Sequence, residues 1–176
     1  MSEVLKAMEA RFSTRGYTAE KLTEAELQTL ITAGLQAPTA TNRQEIHFTV
    51  LDGENPLLAE MQEEMLKDRP NMKLDSNFYY GAPTVILLSG EEAFGWSAVD
   101  AGIAVENIAL AAEALGLGNV ILGCIKGALT GEKRGYFSEA LKLPEGYVFE
   151  VAIAVGHKAA SKAPHEYSAE KNVTCL

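Results

Sequence analysis

The segment spanning residues 97–115 constrains the fold of this chain more than any other. It is the longest stretch with helical character, is rich in alanine and carries apolar side chains nearly all round. A helix of this kind is either buried inside a domain or packed against a partner. Gly116 follows directly and predicts the end of the helix, because glycine readily adopts the left-handed conformation that closes helices. The chain is therefore expected to build its core around this helix.

Apolar patterns on both sides of that helix predict alternating helices and strands. Residues 84–88 form a continuous apolar run of strand length, which is typical of a central strand covered on both faces. Thr23 and Glu26 predict a capping box, and the helix that they begin is expected to end at Pro38. Taken alone, the pattern permits either an α+β domain or a doubly wound parallel sheet. Further helices are predicted at 3–10, 57–65 and 130–141, and further strands at 46–51, 119–124 and 147–155.

Composition and charge indicate one globular domain. The chain has 176 residues, of which 47% are hydrophobic and 22% charged, and we expect a single domain over 1–176 with 157–176 as a C-terminal arm. No apolar run approaches the ~20 residues of a membrane helix. The net charge of -9 argues against a nucleic-acid surface, which needs clustered cations. With two cysteines and no signal-peptide pattern, the chain is expected to work in the cytoplasm, without membrane or nucleic-acid partners.

Two guanidinium groups and a hydroxyl are concentrated in residues 11–15. Arg11, Ser13 and Arg15 alternate along this stretch, so an extended backbone would place them on one face. Guanidinium forks suit the oxygens of a phosphate, which makes a phosphate-bearing ligand the functional interpretation. The alternative is a solvated basic turn after an acidic helix, and this motif alone does not decide between the two.

A second polar stretch lies at residues 38–44, between a predicted helix and a predicted strand. Asn42 and Gln44 carry amides that both donate and accept hydrogen bonds, the mixture that the edge of a flavin ring requires. Proline, threonine and asparagine are also common in ordinary connections, and taken alone the loop favours that interpretation. Together, the two stretches suggest a site for flavin mononucleotide (FMN).

Motifs for other kinds of chemistry are missing from the sequence. No Gly-x-Gly-x-x-Gly follows a predicted strand, and neither a Walker-type loop nor a Gly-x-Ser-x-Gly nucleophile motif occurs. His47, His157 and His165 are too dispersed to predict a metal site. An enzyme without an acid–base or metal cluster is understandable if a bound cofactor performs the chemistry, as a flavin does.

Several short motifs, in their order and spacing, resemble the nitroreductase family of FMN-dependent NAD(P)H oxidoreductases. The resemblance spans nearly the whole chain. It implies an α+β fold with a mixed, largely antiparallel sheet flanked by helices, assembled as an intertwined homodimer. The chain departs from the family pattern at Glu45-Ile46, where Pro-Trp is usual, and at Glu106, where Gln is usual. The matching motifs are 11–15, 37–44, Gly-Ala-Pro at 81–83, the opening of the long helix at 100–107, Leu-Gly-Leu-Gly at 115–118, Ile-Leu-Gly-Cys at 121–124 and Gly156.

The resemblance also implies which residues hold FMN. Arg11 and Ser13, with Phe12 between them, would hold the phosphate, ribityl or pyrimidine side. Arg15 would reach the N1–C2=O edge and support the flavin-centred chemistry electrostatically. The other implied contacts are Leu122 and Gly123 along the ring, Pro38, Thr39, Ala40, Asn42 and Gln44 from the other subunit, and Lys162 and His165 of the tail, with Lys158 a further candidate, at the phosphate.

The predicted function is transfer of a hydride from NADH or NADPH to a small-molecule electron acceptor by a ping-pong mechanism. Nitroaromatics, quinones and enones would be typical acceptors. The alternatives are a non-catalytic flavin-binding or storage protein of the same fold and a structural or regulatory module without flavin. The apolar helix 97–115 and the arm 157–176 independently favour a homodimer. Residues 67–80, polar and irregular, are expected to form a mobile cap over the site.

Overall fold

The computed structural model describes residues 2–69, 71–163 and 166–175. Its centre is an antiparallel sheet of four strands. These are β1 (His47–Asp52), β2 (Thr84–Glu91), β3 (Leu117–Leu122) and β4 (Tyr147–His157), and they lie side by side in the order β1-β2-β4-β3. The helices are α1 (Glu3–Ala10), α2 (Glu24–Leu35), α3 (Pro56–Lys67), α4 (Ser97–Ala114), α5 (Lys126–Thr130), α6 (Arg134–Ala140) and α7 (Ala169–Asn172), with a 3-10 turn at Ala40–Asn42.

Both faces of the sheet are covered, and strand β2 shows why its sequence is apolar without alternation. Val85 and Leu87 point into a core formed with α3, α5 and α6, whereas Ile86 and Leu88 point into a second core formed with α2 and α4. All four side chains are buried. The α+β class with a largely antiparallel sheet is confirmed. Among the described residues, parallel pairing occurs at an isolated bridge between Ser13 and Asn119.

Helix α4 buries one side and exposes apolar groups on the other. Ala104 and Ile108 are fully enclosed by the sheet and α2. Val99 and Ile103, on the outer side, are 49% and 37% exposed. The predicted burial is therefore confirmed for the inner face of this helix, and contact of the exposed outer face with a partner stays a prediction.

Most predicted elements are confirmed, but one predicted helix is wrong and several boundaries differ: β2 and β4 end three and two residues later than predicted. The capping box of α2 is present, with Thr23 and Glu26 each bonding the other's backbone N–H. Strand β3 begins two residues earlier than predicted, because Gly116 (φ 77°) reverses the chain at once after α4. The predicted helix 130–141 is instead two helices, α5 and α6. A Cβ at Gly131 would lie 2.7 Å from the Gly127 carbonyl oxygen, so this tight connection requires glycine.

None of the helices in the described part of the chain is both long enough and apolar enough to cross a bilayer.

The sheet order separates two regions that matter for the site. Strands β1 and β3 form opposite edges, about 14 Å apart across three strand spacings. His47 at the start of β1 pairs with Ser89 near the end of β2, and Leu117 at the start of β3 pairs with His157 at the end of β4. The loop before β1 and the start of β3 therefore lie at diagonally opposite corners of the sheet.

Candidate functional site

The segment that follows α1 is extended and docks against the edge of β3. The Arg11 N–H donates to the Ala7 carbonyl at 2.9 Å and ends the helix, and the Arg11 backbone is extended (φ -60°, ψ 131°). Ser13 then forms its parallel bridge with Asn119, and the Thr14 N–H donates to the Asn119 carbonyl at 2.8 Å. The extended backbone considered in the sequence analysis is present where this segment meets β3.

Close packing and a buried phenol hold the segment in place. A Cβ added at Gly118 would lie 2.7 Å from Thr14 Cγ2, so glycine permits this approach. The backbone of Tyr17 forms an isolated antiparallel β-bridge with Lys158, just beyond the end of β4. The Tyr17 hydroxyl donates toward the carbonyl oxygens of Thr14 at 3.1 Å and Ala154 at 3.3 Å. Burial raises the pKa of the Tyr17 phenol, which therefore remains a neutral donor.

Two cations of this region face carboxylates of α4. Arg11 Nε lies 3.9 Å from Glu106 Oε1. Lys158 Nζ lies 2.7 and 2.8 Å from the two carboxylate oxygens of Glu113, and 5.4 Å from the centroid of the Phe12 ring. The Lys158–Glu113 pair is largely shielded from solvent, with side-chain exposures of 21% and 11%. It ties the end of β4 to the end of α4.

Arg15, like Lys158, faces an aromatic ring, but it lacks the close carboxylate partner that Lys158 has among the described residues. Its guanidinium carbon lies 5.7 Å from the centroid of the Tyr80 ring, within cation–π distance. Arg15 is exposed, and no carboxylate of the described residues lies within 4.0 Å of its guanidinium. Its positive charge is therefore available for an anion.

Leu122 and Gly123 belong to the same edge strand. Leu122 is buried and is part of the core cluster against which Tyr17 packs, whereas Gly123, directly after β3, is exposed. From Asn119 to Leu122 the strand covers about 10 Å. The structure thus brings Leu122 and Gly123 to the edge that also carries the 11–15 segment.

Hydrogen bonds hold the loop that precedes β1. The Ala40 N–H donates to Asp100 Oδ2 of α4 at 2.9 Å, and the Gln44 N–H donates to Thr39 Oγ1 at 2.9 Å. The Gln44 side-chain amide donates to Asn42 Oδ1 at 3.0 Å. The shape of this loop is therefore set by contacts within the chain itself.

The same loop contains a cluster of left-handed residues. Thr41, Asn42 and Gln44 have φ angles of 56°, 55° and 55°. Asparagine tolerates this conformation, but threonine and glutamine adopt it rarely, and such residues cost roughly 1–3 kcal/mol each. The side chains of Asn42, Gln44 and the neighbouring Pro38 are exposed, and those of Thr39 and Ala40 are half-buried. Within one chain the structure does not bring this loop to the 11–15 segment.

A buried acidic residue lies directly after the loop. Glu45 is 6% exposed, and neither of its carboxyl oxygens has a hydrogen-bond partner among the described residues. Burial raises the pKa of the Glu45 carboxyl, and the nearby Asp100 carboxyl raises it further. Next to it, Arg43 pairs with Glu91 and lies over the Phe94 ring at 4.7 Å from the centroid.

Two tail residues, Lys162 and His165, are predicted to complete the site. Lys162 is exposed and has no ion pair or hydrogen bond within the parts of the chain that the structure describes. His165 lies outside the described residues. Lys158 does lie beside the 11–17 segment, but its ammonium group is already paired with Glu113.

Comparison with known proteins decides the family. The model of the family described as Nitroreductase family matches residues 8–157.

The chain belongs to the nitroreductase family.

Individual relatives agree with this assignment. A Bacillus subtilis protein named FMN reductase [NAD(P)H] is 31% identical over 90% of this chain and 67% of its own length. The crystal structure of a nitroreductase with bound FMN from Desulfitobacterium hafniense is 32% identical and superimposes with a TM-score of 0.89, covering 100% of this chain and 99% of that chain. An FMN-dependent nitroreductase from Clostridium difficile is 27% identical with a TM-score of 0.87, covering 98% of each chain.

Some residues that organise the site of this nitroreductase-family chain are not predicted by any sequence motif. Glu113 and Tyr17 are the main examples. The sequence does contain an indication for Glu113, because α4 is apolar except for a few polar residues that include Asp100, Glu106 and Glu113. Acidic groups in such a helix need partners, and each of these lies beside a segment of the candidate site. Tyr17 has no comparable signal, because an aromatic residue after a turn is common.

Proposed function

We propose that this chain is an FMN-dependent oxidoreductase that takes a hydride from NADH or NADPH and passes it to a small electrophile. The observation that carries the proposal is the 11–15 segment, docked on β3 with the charge of Arg15 uncompensated. Family membership and relatives named for FMN and NAD(P)H support it. Nitroaromatics, quinones or enones are the acceptor classes, used in a ping-pong cycle.

The residues beside β3 fit FMN in chemical type. Arg11 and Ser13 offer a guanidinium and a hydroxyl to the phosphate and ribityl groups. In the same segment, the Thr14 hydroxyl oxygen is buried without a hydrogen-bond partner among the described residues. The Leu122 side chain is buried in the core beneath this edge, and the exposed Gly123 leaves room for a flat ring.

The chemistry that FMN supplies when bound is acceptance of a hydride from the nicotinamide and its return to the second substrate. Arg15 would place a positive charge near the pyrimidine edge of bound FMN, where negative charge accumulates during reduction. We assign no side chain as an acid or base.

We further propose that two copies of the chain build each site. The loop with Asn42 and Gln44 lies at the opposite corner of the sheet from Arg15, so within one chain the two regions flank different edges. A second copy would supply its loop to the β3 edge of the first. This arrangement accounts for a loop that is held in a strained shape yet presents exposed amides.

Exposed apolar side chains mark a surface for that second copy. Helix α1 packs against α4, and both helices present large apolar groups to solvent in the isolated chain. Each such side chain adds roughly 1–3 kcal/mol when buried, before the entropy of association is subtracted. The exposed residues are Val4, Leu5 and Met8 of α1 and Val99 and Ile103 of α4.

The absorbance spectrum of the purified protein tests the cofactor. We expect a yellow protein that releases FMN, not FAD, on denaturation. Oxidation of NADH or NADPH with menadione or nitrofurazone as acceptor should give parallel double-reciprocal plots. Flavin bound with stoichiometric occupancy but with negligible NAD(P)H oxidation would favour a storage protein instead. Absence of flavin after reconstitution would exclude both.

Mixed dimers test the shared site. An Arg11→Ala chain and an Asn42→Ala/Gln44→Ala chain are purified with different affinity tags and recovered as a heterodimer. If the sites are shared, one site of the heterodimer contains all three substitutions, because it combines the Arg11→Ala segment of one chain with the substituted loop of the other. The second site combines two unsubstituted parts, so tight FMN binding should return at that site. If each chain holds its own FMN, neither site is intact and the heterodimer binds as weakly as its parents. A folded monomer that holds FMN stoichiometrically would also refute the proposal.

A further inference from the structure

Tyr80 occupies a backbone position that does not suit it. The Ala82 N–H donates to the Tyr79 carbonyl at 3.1 Å and closes a four-residue turn around Tyr80 and Gly81. Both central residues are left-handed, with φ angles of 57° and 73°. This pattern is that of a type I′ turn, which normally carries Asn or Gly at its first central position. A bulky aromatic residue there is a conformational outlier.

The turn is held firmly in spite of that outlier. The Gly81 N–H donates to Asn77 Oδ1 at 2.7 Å, and the Tyr79 hydroxyl donates to the Gly53 carbonyl at 2.9 Å. Just before it, the buried Phe78 donates its N–H to Gln62 Oε1 at 2.9 Å. These bonds fix the backbone from which the Tyr80 side chain projects. Strained residues persist where the surroundings overdetermine them, and they cluster at functional sites.

The ring of Tyr80 is directed at Arg15. The guanidinium carbon is 5.7 Å from the ring centroid, and the Tyr80 phenol is near enough to Tyr17 to raise the pKa of that phenol further, after the larger effect of burial. Lys158 is paired at close range with the Glu113 carboxylate, whereas Arg11 lies 3.9 Å from the half-exposed Glu106 carboxylate. An aromatic face orients a guanidinium without cancelling its charge. Arg15 thus keeps its full charge for an anionic partner.

We propose that Tyr80 is a positioning residue that holds the Arg15 guanidinium against the pyrimidine edge of reduced FMN. The inference rests on the proposed function, because it takes Arg15 as the group that faces the flavin. Its consequence is selective: a fixed cation stabilises reduced, negatively charged flavin more than oxidised, neutral flavin. Tyr80 should therefore influence the reduction potential of bound FMN, through Arg15.

The test compares two substitutions of Tyr80 in the FMN-loaded protein. Tyr80→Asn suits the left-handed turn but removes the ring, so the fold is retained. Tyr80→Phe keeps the ring and serves as the matched control. The midpoint potential of bound FMN is measured by spectroscopic equilibration with a reference dye. For Tyr80→Asn we expect the ratio of reduced to oxidised affinity to fall about tenfold, a shift of about 30 mV to more negative potential. Tyr80→Phe should stay near the wild type.

A double-mutant cycle shows whether the effect passes through Arg15. Arg15→Gln should lower the potential at least as much as Tyr80→Asn. In the Arg15→Gln background, Tyr80→Asn should then add nothing, since the cation that it positions is gone. Additive shifts would overturn the inference, because Tyr80 would act by another route.

The remaining outcomes separate this inference from the proposed function. A wild-type protein that binds FMN while Tyr80→Asn leaves its potential unchanged would overturn the inference alone. A shift in both Tyr80→Asn and Tyr80→Phe would assign the effect to the hydroxyl and also overturn it. A wild-type protein that binds no flavin would refute the proposed function, and this inference with it.

Discussion

Two segments of this chain carry the candidate site, and they reach their shapes by different physical means. The 11–17 segment is extended and takes its order from the sheet, through the Ser13–Asn119 bridge and the close approach of Thr14 to Gly118. The loop before β1 is bent and left-handed, and takes its order from side chains, through Asp100 and Thr39. The conformation of the 11–17 segment should therefore be sensitive to changes in packing. The conformation of the loop before β1 should be sensitive to changes in charge or hydrogen bonding.

The largest expected effect comes from adding a methyl group under the first segment. In Gly118→Ala the new Cβ would meet Thr14 at 2.7 Å, and overpacking of this kind costs about 1–3 kcal/mol of unfolding free energy. Displacement of the segment should also weaken FMN binding at least tenfold, since Arg11 and Arg15 move with it. Urea denaturation and fluorescence titration measure the two effects.

Gly135→Ala is the matched control for that substitution. Gly135 lies in α6 with no atom within 4 Å of an added Cβ, so alanine there should leave FMN binding unchanged and raise stability by up to about 1 kcal/mol. Equal FMN affinity in the two glycine variants would show that docking of the 11–17 segment does not control the site.

Removal of one cation from the first segment is expected to act on the ligand more than on the fold. Arg11→Ala should weaken FMN binding by about tenfold or more, because a charge-assisted hydrogen bond contributes roughly 1.5–3 kcal/mol. Lys171→Ala, in the exposed helix α7, is the control and should bind FMN as the wild type does. Equal affinities, measured by calorimetry, would make Arg11 a surface charge only.

The second segment should respond to pH through Glu45. Its pKa is raised in the folded protein by burial and then by Asp100. A raised pKa means that this carboxyl favours folding below its unfolded pKa and that the contribution is lost as pH rises through the folded pKa. Glu45→Gln should therefore match the wild type near pH 4 and exceed its unfolding free energy at pH 8, by roughly 1 kcal/mol or more for a buried group without a partner.

The control for that pH profile is Glu54→Gln, since Glu54 is exposed. The difference in unfolding free energy between Glu54→Gln and the wild type should not increase from pH 4 to pH 8 as it does for Glu45→Gln. If denaturation curves at pH 4 and pH 8 give Glu45→Gln the same advantage at both, the carboxyl does not titrate in the folded range and the electrostatic account of this loop is wrong.

The smallest effect is expected from a third region, the connection 67–80. Residues 71–73 are exposed, whereas Phe78 is buried and Tyr79 is bonded to Gly53. Deletion of residues 71–73 should leave FMN bound but change the ratio of kcat/KM between a quinone and a nitroaromatic. An unchanged ratio would show that this connection does not influence which acceptors enter.

Much of the fold is predictable from local sequence. Alternation and continuous apolar runs predict the strands, and the capping box of Thr23 and Glu26 places the start of α2, because these signals depend on neighbouring residues. The split between α5 and α6 was not predictable in this way. It depends on the close contact of Gly131 with the Gly127 carbonyl, which a periodicity over several residues does not reveal.

The sequence by itself determined the residue types of the candidate site: alternating Arg11, Ser13 and Arg15, an amide-rich loop and a family pattern along the chain. Only the tertiary structure decided their relations. Strand order places the loop and Arg15 at opposite corners, and packing leaves Arg15 on the Tyr80 ring while Lys158 is neutralised by Glu113. Charge pairing and edge position are properties of distances between remote residues, and local sequence patterns do not contain those distances.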